Sequence, residues 1–145
     1  MRSDWVLAIR RDLYEYEFMF IKTRLLRAGL ILWLVGTIAL RVAGQHLLPP
    51  DHPMAALGLL IGGAAGSAWL VRRLCAGAQL SREDWMAGAV AIVLPTLCLD
   101  AFSASFFPAV FPNIAPAAAG LFGGWMLACC AGGLLGATLG RTAGR

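Results

Sequence analysis

Charged side chains are scarce in this chain of 145 residues. Asp, Glu, Lys and Arg together make up 14% of it, and only one of the twelve basic residues is a lysine. Soluble domains are closer to one quarter charged and one half apolar, whereas hydrophobic residues here reach 59% and the mean hydropathy is +0.73. This composition excludes an ordinary water-soluble domain and indicates an integral membrane protein.

Sequence motifs of common catalytic sites are also missing. The chain contains no GxGxxG, GxxxxGK, HExxH or GxSxG pattern, so nothing in it points to nucleotide binding, zinc hydrolysis or a serine nucleophile. We therefore predict a protein that is not an enzyme, with no cofactor and no bound metal. An enzyme remains the weakest of three functional alternatives.

The four cysteines allow one metal-based alternative. Cys98, Cys129 and Cys130 all fall within apolar stretches, and thiolates of this kind suit a carrier of soft metal ions. However, the sequence has no CxxC motif and no histidine at a metal-binding spacing. Because buried cysteine usually behaves as a small hydrophobic residue, we expect these thiols to be packing residues, without a structural disulfide.

Stretches without charge locate four candidate membrane helices. A spanning helix needs about 20 mostly apolar residues. Two of the four stretches reach that length only when they are extended past a single charged residue, Arg41 or Asp100. The predicted fold is all-α, with an amphipathic interfacial helix over residues 1–27 and a transmembrane bundle over 28–145. The predicted spans are 28–48, 54–71, 82–107 and 116–140.

Proline and polar residues mark the connections between these spans. Pro49 and Pro50 cannot continue the first helix, and the proline-rich segment 107–116 is predicted to be a stiff loop. Asn113 at the end of that loop is expected to cap the fourth helix.

Basic residues are distributed very unevenly among the connecting segments. Residues 1–27 carry six Lys and Arg, the 72–85 loop carries three and the C-terminal tail carries two, against Arg41 alone on the other side. Because basic residues stay in the cytoplasm, we expect both termini to be cytoplasmic. The basic composition follows from this bias, so it is no indication of nucleic-acid binding.

The two charges inside the spans have opposite sign. Arg41 lies about 21 Å along its helix from Arg27, and Asp100 lies about 22 Å along its helix from Trp85, at ~1.5 Å per residue. A charge at such a depth is expensive and therefore a candidate functional group, and we predict an intramembrane ion pair between Arg41 and Asp100. The alternatives are that each side chain reaches water or lipid phosphate independently, or that they form part of a proton or ion relay.

Small residues recur every four positions in two spans, and such spacing allows close contact between helices in lipid. Packing inside one bundle and contact with another subunit both explain this pattern. The helix-packing positions are Gly58, Gly62 and Gly66 in the second span, and Gly120, Gly124, Ala128, Gly132, Gly136 and Gly140 in the fourth.

The N-terminal segment has two apolar stripes where an ordinary interfacial helix has one. One stripe can rest on lipid, which leaves the other as a candidate surface for a partner protein. The alternative is that the helix folds back beneath its own bundle and covers both stripes. The predicted partner-binding stripe consists of Leu7, Tyr14, Phe18, Ile21 and Leu25.

Four short segments resemble an uncharacterised family of small four-helix bacterial membrane proteins. The resemblance covers roughly residues 28–140, and it implies a bacterial inner-membrane location and a four-span fold but no activity. The long N-terminal helix departs from the family pattern. The segments are Gly36–Gln45, Leu99–Phe102, Val110–Asn113 and Ala118–Gly123.

These observations favour a non-enzymatic accessory or scaffolding subunit of a bacterial membrane protein complex. Its expected partners are the lipid bilayer and other membrane subunits or further copies of itself, without nucleic acid. The alternative is a small transporter or channel that uses Asp100 and Arg41, with a contribution from Cys98, Cys129 and Cys130. The scarcity of polar residues in the spans argues against a continuous pathway.

Overall fold

The computed structural model describes the backbone of residues 4–48 and 51–142, and the side chains of residues 19–48 and 51–139. All regular structure in these ranges is helical, so the predicted all-α class is confirmed. A 3-10 turn over Pro116–Ala118 precedes the last helix. The helices are α1 (Asp4–Leu47), α2 (Pro53–Gly77), α3 (Trp85–Ser105), the one-turn helix α4 (Phe107–Val110) and α5 (Ala119–Thr142).

Four segments are long and apolar enough to cross a bilayer, as predicted. They overlap the four predicted spans in order, and the two spans that were extended across a single charge are present. The segments are Met19–Leu47, Pro53–Gly77, Trp85–Ser105 and Pro116–Leu139.

The third span is a few residues shorter than predicted, with α3 over Trp85–Ser105, and the boundaries of the first two spans differ more. The second span was predicted to end at residue 71, but α2 continues to Gly77, because arginine favours helix almost as well as alanine and ends only the apolar run. Residue 27, the predicted boundary between the interfacial helix and the first span, lies within α1, which is one continuous helix of 44 residues. Whether its first turns lie on the membrane surface stays a prediction.

The predicted loop 107–116 contains an additional helical turn and a buried aromatic cluster. Phe107 at the start of α4 and Phe111 just after it pack against Phe122 of α5, with ring centroids 5.1–5.4 Å apart. All three side chains are about 1% exposed. The loop is therefore held by apolar packing against α5 as well as by its prolines.

Asn113 was predicted to cap the fourth helix, and this prediction is wrong. Its Nδ2 donates hydrogen bonds to the carbonyl oxygen of Leu40 (3.0 Å) and to Oε1 of Gln45 (2.7 Å), both on α1. The residue before the 3-10 turn is Ala115, which has no side chain for capping. The amide thus ties the α4–α5 connection to the end of α1, a contact between residues about 70 positions apart that local sequence cannot indicate.

The long helices are arranged in the spatial order α1–α3–α5–α2. The most extensive contact joins α2 to α5, while α3 packs against both α1 and α5 and touches α2 only slightly. Within the described residues, α1 makes no extensive contact with α2 or with α5. The bundle is therefore open on the side where α1 and α2 face each other.

Buried apolar residues form two separate clusters, one toward each end of the bundle. The first, named here the Leu25 cluster, includes Leu25 of α1, Cys75 of α2 and Trp85 and Ile92 of α3. The second, the Phe122 cluster, consists of Phe122 with Phe107, Phe111, Leu40, Leu48, Ile114 and Ala118. Between the two clusters the helices separate enough to leave a cavity.

Candidate functional site: a cavity within the bundle

A cavity of about 200 Å³ lies between the Leu25 and Phe122 clusters. All four long helices line it, and its walls are mostly apolar. Members of the two clusters form its ends, Val71 and Ile92 at one and Leu40 and Phe122 at the other. Gly36 of α1 lines the cavity and is also exposed, so the cavity opens at the surface of α1.

Asp100 supplies the one acidic side chain of this lining. It is half-buried on α3 and approaches the indole of Trp33 on α1. The Trp33 Nε1 atom is buried without a partner in hydrogen-bond geometry, so the carboxylate is near the indole without being held by it. Lysine, arginine and histidine are absent from the lining.

The predicted ion pair between Arg41 and Asp100 is not formed. Within the described side chains neither residue has an ion-pair partner, and Arg41 is exposed on α1 while Asp100 lines the cavity. Leu40 occupies the buried position next to Arg41. Because consecutive helical residues are about 100° apart, the burial of Leu40 turns Arg41 away from α3.

Two tryptophans give the cavity an aromatic character that the sequence analysis missed. Trp33 of α1 and Trp125 of α5 both line it, and the Nε1 atoms of both are buried without a hydrogen-bond partner. Trp125 Nε1 lies against Gly63 of α2, in the space that a side chain there would fill. Their position in the sequence could have revealed them as unusual, because membrane tryptophans concentrate at interfaces and these two lie in mid-span.

Hydroxyl and thiol groups complete the polar part of the lining. Cys129 lies beside Ser67 of α2, and Cys130 lies beside Thr96 of α3. Thr96 follows Pro95, whose ring nitrogen has no hydrogen to donate within α3, and its hydroxyl donates to the carbonyl oxygen of Val93 at 2.7 Å.

The thiols proposed for soft-metal binding are only partly brought together. Cys129 and Cys130 share the cavity with Asp100, but Cys98 is exposed on α3. No group of three or more His, Cys, Asp or Glu side chains placed to hold a metal ion occurs in the described ranges. All four cysteines are free thiols.

The predicted small-residue positions of α5 are used inside the bundle at two sites. A Cβ added to Gly132 would collide with the carbonyl oxygen of Ala64, and one added to Gly136 would lie 2.6 Å from that of Ala68. Ala128 is half-buried. A Cβ added to Gly124 would lie at an ordinary contact distance from Leu60, whereas one added to Gly120 would meet nothing within 4 Å. The side-chain environment of Gly140 lies outside the described residues.

The predicted positions of α2 face the other way. A Cβ at Gly58, Gly62 or Gly66 would meet nothing within 4 Å, and all three glycines are exposed. The side of α2 that contacts α5 carries Gly63 and Ala64 instead. A further close contact, which the periodic pattern did not indicate, is that of Gly29 of α1 with the backbone of Ile92.

The predicted partner-binding stripe is wrong at its C-terminal end. Leu25 is 4% exposed and lies at the centre of the Leu25 cluster, and Ile21 is half-buried against the same cluster. These two residues therefore face the protein's own bundle. The side chains of Leu7, Tyr14 and Phe18 lie outside the described residues.

Large apolar side chains point outward from every long helix, among them Val42, Met54, Leu94 and Leu127, each more than half exposed. Such surfaces are stable only against hydrocarbon. Together with four spanning helices, they define a multi-pass α-helical membrane protein with a cavity inside its bundle.

The chain belongs to DUF5367, a family of unknown function, which matches residues 48–142. The match covers α2 to α5 and begins just after α1, whereas the resemblance seen in the sequence extended to residue 28. No curated protein and no solved structure matches the chain.

Proposed function

We propose that the protein is a non-enzymatic accessory subunit of a membrane protein complex, and that the outward face of α2 receives a transmembrane helix of another subunit. The observation that carries this proposal is the row of small residues on that face. At about 100° per residue, Ala55 and Ala65 fall on the same side of α2 as Gly58, Gly62 and Gly66, and all five are exposed.

The glycines of this face make no close contact within the described part of the chain. A glycine inside a helix is less stable than alanine by about 0.5–1 kcal/mol, and nothing in the described bundle comes near enough to require its small size. On its inward side, the backbone of α2 lies directly against Gly132 and Gly136 of α5. That contact shows how closely helices approach where glycines are four residues apart. A second helix on the outward face would gain the same close van der Waals contact.

The length of α1 supports a second contact with the same complex. α1 extends N-terminally from Ile21, the residue that packs on the Leu25 cluster, back to Asp4, and this part of α1 lies outside the family match. We propose that residues 4–18, which carry Leu7, Tyr14 and Phe18, meet a partner subunit on the cytoplasmic side.

The test compares two leucine substitutions at exposed positions, Gly62 on α2 and Ala131 on α5. The full chain is purified in mild detergent from its native membrane, and the size of its complex is measured by native electrophoresis. A photo-reactive amino acid at position 62 then identifies the subunit in contact. We expect Gly62→Leu to release the protein from its complex, because the side chain would hold the partner helix away.

Ala131→Leu is the matched control, since Ala131 is exposed on α5 away from the α2 face. It should leave the complex intact. A wild-type protein that migrates as a monomer, a cross-link only to a second copy of this chain, or a Gly62→Leu variant with an unchanged complex would each contradict the proposal.

A small transporter or channel is less well supported. Arg41 and Cys98 are exposed away from the cavity, while Asp100, Cys129 and Cys130 line it. The apolar Leu25 and Phe122 clusters occupy both ends of the cavity along the helix direction. Such walls favour access from the bilayer rather than a path from one aqueous side to the other.

A further inference from the structure

We propose that the cavity is a binding site for a small organic cation that enters from the bilayer between α1 and α2 and pairs with Asp100. This inference concerns the interior of the bundle, and it does not depend on the accessory role proposed for the outer face of α2.

The first argument is the unbalanced charge in the cavity. A carboxylate removed from water is strongly destabilised unless a cation pairs with it. Arg41 is exposed on α1, and no Lys, Arg or His side chain lines the cavity. A bound cation would supply the missing partner, whereas a bound anion would add repulsion.

The second argument is the chemistry of the walls. Trp33, Trp125 and Phe122 line the cavity together with Asp100. Aromatic rings attract alkylammonium groups through their electron-rich faces, and tryptophan does so most strongly. A carboxylate with several aromatic rings is therefore suited to a cation that carries apolar substituents rather than to a hydrated metal ion.

The third argument is access. The cavity opens at Gly36, an exposed residue of α1, and α1 makes no extensive contact with α2 in the described bundle. A ligand dissolved in the bilayer can enter by this side without disturbing either apolar cluster. The volume of about 200 Å³ is below the usual range for drug-sized ligands, so the ligand is limited to roughly one ring with small alkyl groups.

The experiment uses the purified full chain in lipid nanodiscs and equilibrium dialysis against radiolabelled benzyltrimethylammonium. A matched neutral probe, neopentylbenzene, replaces the nitrogen by carbon at nearly the same size. We expect saturable binding of the cation, one per chain, with a dissociation constant of about 1 mM or lower. The neutral probe should bind at least about tenfold more weakly, because it cannot pair with the carboxylate.

Two variants test the site by different means. Asp100→Asn keeps the size of the side chain but removes its charge, and should weaken cation binding about tenfold or more. Gly36→Leu should block binding by occupying part of the cavity that Gly36 lines, and a Cβ at this position meets nothing within 4 Å.

The controls change similar residues elsewhere. Asp51→Asn removes an exposed carboxylate outside the cavity, and Ala39→Leu adds bulk to an exposed position of α1. Both should bind like the wild type. Absence of saturable binding to the wild type, equal binding of the two probes, or unchanged binding by both Asp100→Asn and Gly36→Leu would overturn the proposal. Any of these outcomes would leave the proposed contact at α2 untouched.

Discussion

Glycine occupies two opposite environments in this bundle. At Gly132 and Gly136 the backbone of α2 lies so close that even a methyl group would collide with it, while at Gly62 and Gly66 nothing lies within 4 Å of the added Cβ. The same spacing of four residues therefore serves an internal contact on α5 and an open face on α2. The two environments predict opposite responses to a larger side chain.

We expect Gly132→Leu to destabilise the bundle by at least about 1–3 kcal/mol, as overpacked substitutions do. The leucine would have to displace the backbone of Ala64, which belongs to the most extensive helix contact in the structure. Unfolding of the purified protein in mixed micelles, followed by circular dichroism, measures the change in the free energy of unfolding.

Gly66→Leu is the matched control for this substitution. Its side chain would extend into open space, and leucine favours helix over glycine, so the free energy of unfolding should stay the same or rise slightly. A similar loss of stability in both variants would contradict the assignment of the two faces.

At the scale of elements, α1 is one continuous helix of 44 residues with two distinct parts. Its C-terminal part packs on α3 through Leu25 and Gly29 and on the Phe122 cluster through Leu40. Its N-terminal part continues to Asp4. In its last turn, the predicted partner-binding stripe faces the interior of the bundle, because Ile21 and Leu25 pack in the Leu25 cluster. Only the part before Ile21 remains available for the proposed partner contact.

We expect Leu25→Ala to lower the free energy of unfolding by about 2–5 kcal/mol, which is typical of a leucine truncated in a core. Leu25 is 4% exposed within its cluster. Deletion of residues 2–18 should in contrast leave the bundle folded, because Ile21 and Leu25 are retained. Both effects are measured by unfolding of the purified variants in mixed micelles.

The neighbouring residue Leu26 provides the control, since it is 44% exposed. Leu26→Ala should change stability much less than Leu25→Ala. If the deletion unfolds the bundle, or if the two leucine variants are equally destabilised, α1 does not divide into a packed part and an independent extension.

At the scale of the whole molecule, charge and helix number together predict the orientation. Four spans place both termini on one side, and eleven of the twelve basic residues fall in the segments on that side. We expect reporters fused at Ser3 and Arg145 to be cytoplasmic, and one fused at Asp51 or Pro112 to be outside the cytoplasm. A C-terminal reporter outside the cytoplasm would contradict the even number of spans.

The sequence alone was sufficient for the class of fold and the number of spans. Bilayer thickness requires about 20 mostly apolar residues in each helix, and apolar runs of that length, two of them interrupted by one charge, are visible without any knowledge of contacts. Asp100 was also recognised as a charged residue within a span, because a single charge in an apolar run is visible in the local sequence and an isolated charge in hydrocarbon is costly.

The direction in which each helix turns its faces was decided only by the tertiary structure. Arg41 and Asp100 were matched in depth, yet rotation of α1 about its axis buries Leu40 and leaves Arg41 outside the cavity. Glycine spacing likewise indicated close contact without revealing its partner. For Gly132 the partner is α2, whereas no described residue approaches Gly62. One helical position corresponds to a rotation of about 100°, so contact between helices depends on an angle that only the packing of the complete bundle determines.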